Sequence, residues 1–229
     1  MEKFRRSKYN NYSSIGIGAI IIFIAMVIVA GIAASVIIQT SSNLEQKAML
    51  TGQETKTEVS TGLAVYNIEA YAASGSDISK LSIMVCPRAG SEEIDVSHTF
   101  IELSTPSKKI ILNYTTSFYS KPDGLSDIFS ANVFPDDNYA YGDSNNTDGT
   151  RFGILIIEDY DDSISSTKPI MNQGDRVYLC INATGAFNGI SVDTEIFGQV
   201  VPEYGYPGLI KFKTPHVYTD PVIELFWDM

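Results

Sequence analysis

The chain has 229 residues, 44% of them hydrophobic and 19% charged, with a formal net charge of −11. The charge is uneven: residues 1–13 carry four Lys/Arg against Glu2, +4 − 1 = +3, which leaves −11 − 3 = −14 on the rest. An acidic body argues against nucleic-acid binding, which needs a basic face to displace counterions from phosphates. Two cysteines outside any C-x-x-C pair, with only His98 and His216 beside them, argue against a zinc site.

The first element is apolar. Residues 14–44 contain no charge, and residues 15–38, IGIGAIIIFIAMVIVAGIAASVII, are 24 almost unbroken apolar positions. About 20 such residues cross a hydrocarbon core of roughly 30 Å. A basic leader before an apolar run suits a secretory signal peptide, but this run exceeds the 7–15 residues of a usual signal core. An uncleaved signal anchor, its Lys/Arg kept cytoplasmic, is the plain alternative. Both readings place the body outside. A helix apolar all round must be buried in lipid or in protein. Gly31, Ala33, Ala34 and Ser35, with Gly16 and Gly18 near the start, permit close helix–helix approach. Ile24, mid-run, would lie in such a packed core.

The junction Ser13-Ser14-Ile15-Gly16-Ile17-Gly18 between leader and apolar run resembles the class III signal peptides of type IV pilin-like proteins, and those of archaeal flagellins (archaellins) in particular. The resemblance implies that a prepilin-type membrane aspartic peptidase cuts between Ser13 and Ser14. The apolar helix then stays on the mature chain. The family more often has Gly before the cut, and Ser13 departs from that. Bacterial pilins usually carry Glu at the fifth mature position. Here it is Gly18, which favours archaellin over an adhesive type IV pilin.

Residues 40–60 are polar and proline-free, with Leu44, Ala48, Thr55 and Val59 at roughly helical spacing, so the helix is expected to continue into water and to stop at Gly62. A helix of about 45 residues is near 65 Å long at 1.5 Å per residue. Such a helix, with no partner of its own, implies that neighbouring subunits supply one.

From Leu63 the period becomes two. Strands are predicted over 63–71, 80–85, 99–103, 109–115, 152–157, 176–181, 191–200 and 209–213, with a further one over 222–227. They are rich in Ile, Val, Phe and Tyr, and turn residues separate them. The pattern is that of an antiparallel β-sandwich or barrel.

Residues 123–146 are the least regular. Asp136, Asp137, Asp143, Asn145 and Asp148 cluster there, and Glu158, Asp159, Asp161 and Asp162 follow. Hard oxygen ligands suit Ca²⁺, with Asp143, Asn145 and Asp148 as the chosen set, although solvated turns explain the same residues and no EF-hand spacing is present. The archaellin resemblance implies that outer domains of this kind bind metal ions. Sequons stand at Asn113, Asn145 and Asn182, and the resemblance implies N-glycosylation. A fourth, at Asn11, lies in the leader. Asn145 is the best placed, and Asn182, just after a predicted strand, is less accessible. Cys86 and Cys180 form one disulfide or remain two buried thiols acting as small hydrophobes. No phosphate-binding loop, G-x-S-x-G or H-E-x-x-H occurs, and no enzyme is expected.

Near the C-terminus, Gly174-Asp175-Arg176-Val177 precedes a strand. Gly198-Gln-Val-Val-Pro202-Glu203-Tyr-Gly205-Tyr-Pro207-Gly208 then leads into a second strand ending at Thr214-Pro215. Pro202 stops one strand, and Gly205 and Gly208 allow the turn. This long pattern resembles the archaellin C-terminal signature.

The sequence is therefore identified as an α+β archaellin precursor: leader 1–13, assembly helix 14–62, extracellular β domain 63–229. The resemblance implies a homopolymer forming a motility filament, membrane insertion before assembly, an export ATPase and a platform protein as partners, and no required cofactor. The alternatives are an adhesive pilin or a membrane-anchored extracellular binding domain.

Overall fold

Helix α1, Lys3–Ser60, is followed by a long run of strands and one short helix. This is the architecture of a computed structural model, described for residues 3–73, 76–121, 124–125, 127–135 and 149–225. The chain divides into two units, Met1–Glu54 and Thr55–Met229. In the first unit every large apolar side chain from Ile15 to Leu50 is exposed; Ile24 is 52% exposed and Ile38 70%. No charged or polar face offsets them over residues 15–38, so this is a helix without a wet side.

The second unit holds β1 (Leu63–Ala72), β2 (Ile78–Pro87), β3 (Ile94–Asp95), β4 (Phe100–Ser104), β5 (Lys109–Ser120), β6 (Arg151–Glu158), β7 (Ile170–Met171), β8 (Arg176–Asn182), helix α2 (Ala183–Phe187), β9 (Glu195–Val201), β10 (Gly208–Lys213) and β11 (Val222–Glu224). Nine strands form one sheet in the order β10-β9-β4-β5-β6-β8-β2-β1-β11, and β3 pairs with β7 apart from it. The pairs are antiparallel except β5 with β6, which run parallel. A parallel pair needs a long crossover, and residues 121–150 between those strands supply it. The sheet also curls until β10's leading turn meets β1: Gly62 bridges Tyr206, and the Leu63 N–H donates to the Tyr206 carbonyl at 3.1 Å. The expected barrel is thus a single curled sheet, mostly antiparallel.

Burial follows the pleat. β10 alternates strictly, with Ile210 and Phe212 inward and Leu209, Lys211 and Lys213 outward. β8 is buried on both faces and reads as an unbroken apolar run, as doubly covered strands do. Its Val177, Leu179 and Ile181 join the barrel core with Ile83, Ile101, Phe152 and Ile154. Its Tyr178 and Cys180 face outward into a second cluster, under Phe129, Val133 and Phe134 of the β5–β6 crossover. Each buried Leu or Ile contributes about 1.5–3 kcal/mol relative to exposure.

The cysteines are free. Cys180 lies opposite Ser82 in the β2–β8 register, while Cys86 lies four residues further along β2. At about 3.3 Å per residue that separation is near 13 Å, well past the reach of a disulfide. The disulfide alternative is thereby corrected to two thiols. Cys180 is the buried one, and burial pushes its pKa up to about 12.

Candidate functional site

The functional surface begins with α1. Gly16, Gly18, Gly31 and Ile24 all lie on it, and no atom beyond the helix itself comes within 4 Å of a Cβ placed at the three glycines. Gly31, Ala34, Ser35 and Ile38 line a shallow groove along one side. Small residues lower the surface there, so a second helix can approach closely. Ser13 and Ser14 lie within the continuous helical backbone of α1.

Where the helix ends, the C-terminal hairpin grips it. The Tyr206 N–H donates to the Thr61 carbonyl at 2.9 Å, and the Leu63 N–H returns a bond to the Tyr206 carbonyl. Gly205, at φ +89°, makes this possible: a Cβ there would overlap the Thr61 carbonyl, and left-handed backbone disfavours any side chain. From the other side, the Arg88 N–H and the Ser91 hydroxyl both donate to the Gly62 carbonyl, at 2.9 and 3.1 Å. The Gly62 N–H donates to Ser91 Oγ at 3.0 Å, and Thr57 Oγ1 donates to Glu92 Oε1 at 3.2 Å. Just past the end of α1, the Thr61 carbonyl and both backbone groups of Gly62 are thus satisfied by the β domain. The hairpin motif was legible in sequence. Its partner Thr61 was not, since nothing local marks a residue that waits for a hairpin more than a hundred positions later, and neither were Arg88 and Ser91, which hold Gly62 from the other side.

The acidic residues sort into two groups. Asp136, Asp137, Asp143, Asn145 and Asp148 lie outside the described residues. Asp159, Asp161 and Asp175 come together, with carboxylate oxygens within 4.8 Å of one another. Asp159 accepts from the Ser163 and Ile164 N–H groups at 3.1 and 3.2 Å, and Asp161 from the Asn172 amide at 2.6 Å. Asp175, 2% exposed, accepts from the Asn172 N–H at 2.8 Å. Burial raises the Asp175 pKa, and the charges of Asp159 and Asp161 raise it further. These three residues could hold a hard cation; without one they brace the β6–β8 connection through hydrogen bonds. Glu158 and Asp162 stand outside the group, paired with Arg176 at 3.5 Å and Lys121 at 2.5 Å. Sequence reading had Asp159 and Asp161 but not Asp175, which the fold delivers from the lip of β8.

Of the sequons, Asn113 is exposed on β5. Asn182 caps α2: its Oδ1 accepts from the Thr184 and Gly185 N–H groups at 3.1 and 3.2 Å, and its Nδ2 donates to the Pro135 carbonyl at 2.9 Å. The nitrogen that would carry a glycan is already engaged. Asn145 lies outside the described residues.

The family model for archaeal-type flagellin matches residues 13–212, from the leader junction through the neck hairpin to β10. Flagellin B3 of Methanococcus voltae is 39% identical over 233 residues, covering 94% of this chain and 97% of that one. Flagellin B3 of Methanocaldococcus jannaschii is 38% identical over 214 residues, covering 93% and 94%. The crystal structure of archaeal flagellin FlaB1 from Methanocaldococcus jannaschii superimposes with a TM-score of 0.55 at 28% identity, over 72% of this chain and 96% of that chain. The archaeal flagellum of Methanospirillum hungatei strain JF1 gives a TM-score of 0.60 over 91% and 98%, and at 17% identity it speaks to the fold alone. The chain belongs to the archaeal-type flagellin family.

Proposed function

We infer that this chain is a structural subunit of an archaeal flagellar motility filament. One observation carries the reading: α1 exposes an apolar surface on every side over residues 15–38 and is anchored at its far end into a folded β domain. Such a helix is stable in lipid or inside a bundle of its own kind, and in water it is neither. The precursor uses the membrane first. Cleavage between Ser13 and Ser14 by a prepilin-type peptidase removes the cationic leader that ties the helix end to the cytoplasmic side. An export ATPase and a platform protein then move the helix from lipid into a hydrophobic filament core. The β domains form the extracellular sheath, glycosylated at Asn113 and Asn145 in preference to Asn182, whose amide is occupied. Structural Ca²⁺ in the sheath is a further part of this reading, and the subunit's role is assembly, not catalysis.

Deleting the gene separates this from the adhesive-pilin alternative. Loss of swimming with surface attachment intact is expected. Loss of attachment with swimming intact would overturn the reading.

A further inference from the structure

The β domain carries two surfaces whose chemistry fits each other and which one chain cannot bring together. The first is the outward face of β10, β9, β4 and β5. Register places Leu209, Gln199, Glu102 and Ile111 in one row and Lys211, Phe197, Ser104 and Lys109 in the next. Leu209 is 69% exposed, Ile111 52% and Phe197 46%. The Lys211 ammonium lies 5.7 Å from the Phe197 ring centroid and belongs to none of the ion pairs among the described residues. Lysines 109, 211 and 213 stand against Glu102, Glu195 and Asp193 there, +3 − 3 = 0; Lys109 pairs with Glu102 and Lys213 with Asp193, which leaves the Lys211 ammonium. Residues 63–229 as a whole carry ten Lys/Arg and 23 Asp/Glu, 10 − 23 = −13. An apolar, locally neutral face with the Lys211 ammonium at its centre is therefore set into an acidic domain.

The second surface is the loop after β6, Glu158-Asp159-Tyr160-Asp161-Asp162. Tyr160 is fully exposed, with four carboxylates around it. The loop is held on several sides: by the bonds to Asp159 and Asp161, and by Lys121 on Asp162, which sits at φ +55°. A rigidly presented tyrosine is the usual anchor of a protein interface, because little entropy is lost when it docks. β6 runs parallel to β5, with Arg151 opposite Asn113, so Glu158 lies nine residues beyond the level of Ile111. At about 3.3 Å per residue the two surfaces are roughly 30 Å apart along the strands.

We propose that the Tyr160 loop of one copy docks on the Leu209–Phe197–Ile111 face of a second copy of this chain. The acidic loop meets the Lys211 ammonium, and the aromatic ring meets the apolar centre of the face. The contact is heterologous, with a different patch on each side, and such contacts propagate into open helical arrays instead of closing as pairs. The proposal rests on the filament reading and adds the sheath contact to it.

The test is site-directed crosslinking of assembled filaments. Three variants are compared under mild oxidation: Tyr160→Cys with Leu209→Cys, and each substitution alone. Both positions are exposed, so folding is undisturbed, and the native thiols Cys86 and Cys180 give the same background in all three. The double variant is expected to yield a ladder of linked species to tetramer and beyond, with neither single variant linking. Wild-type filaments present with no ladder from the double variant, or linked dimers from Tyr160→Cys alone, would overturn the proposal while leaving the filament reading intact. Absence of wild-type filaments would overturn the filament reading itself.

Discussion

Gly205 does at one residue what the rest of the neck depends on. Its positive φ and missing Cβ let the hairpin backbone reach the Thr61 carbonyl. Gly205→Ala is expected to destabilise the full chain in detergent by more than the roughly 1–3 kcal/mol of backbone strain alone, because the Thr61 carbonyl has to move as well. Gly90→Ala is the control: Gly90 has a similar φ of +86° with no atom within 4 Å of its Cβ, so it bears the strain without the overlap. Urea unfolding midpoints decide it, and equal losses would contradict the neck. Asp175 gives a pH prediction at the same scale. Its folded pKa is raised by burial, so ionising it opposes the fold, and its penalty is relieved as pH falls through that raised value. Asp175→Asn keeps an acceptor for the Asn172 N–H. It is expected to raise the unfolding midpoint at pH 7 in the presence of chelator, with the gain vanishing near the ordinary carboxylate pKa of about 4. A midpoint gain from added Ca²⁺ in wild type and none in Asp175→Asn would identify a cation at the cluster. Asn182→Ala removes a side-chain cap and is expected to cost about 1 kcal/mol by the same measurement.

At the scale of elements, the sequence patterns held where they were driven by burial. Strict alternation in β10 and over residues 109–114 of β5 reported one wet face, and the continuous apolar runs of β6 and β8 reported two dry ones. The two-residue strands β3 and β7 carry too little periodicity to be read, and α2 exists because Asn182 caps it, not because its five residues favour a helix. The parallel β5–β6 pairing was equally illegible, because alternation marks which face is buried and not which neighbour a strand takes. Helix α1 was legible over residues 14–60, where an uncharged apolar run has few structural options and the polar stem keeps helical spacing, whereas its start at Lys3, inside the basic leader, was not. Its prediction is direct. Ile24→Asp leaves the β domain untouched but places an isolated carboxylate in the packed core, at a cost of several kcal/mol per subunit. Filaments are expected to be absent by negative-stain microscopy while the monomer accumulates in membranes, and normal filaments would contradict core burial of α1. Gly18→Glu is expected to block assembly in the same assay.

On the scale of the whole molecule, the parts have opposite relations to water. The β domain buries its own core and carries the negative charge that keeps its surface soluble, whereas α1 buries nothing of its own from Ile15 to Leu50. A chain built this way is complete only in company, first with lipid and then with copies of itself. In the proposed function, removal of residues 1–13 separates the two stages, so the N-terminus of the filament subunit is the most direct test of it. N-terminal sequencing of filaments sheared from cells is expected to start at Ser14. An intact leader starting at Met1, on a membrane-bound monomer and on no filament, would contradict it.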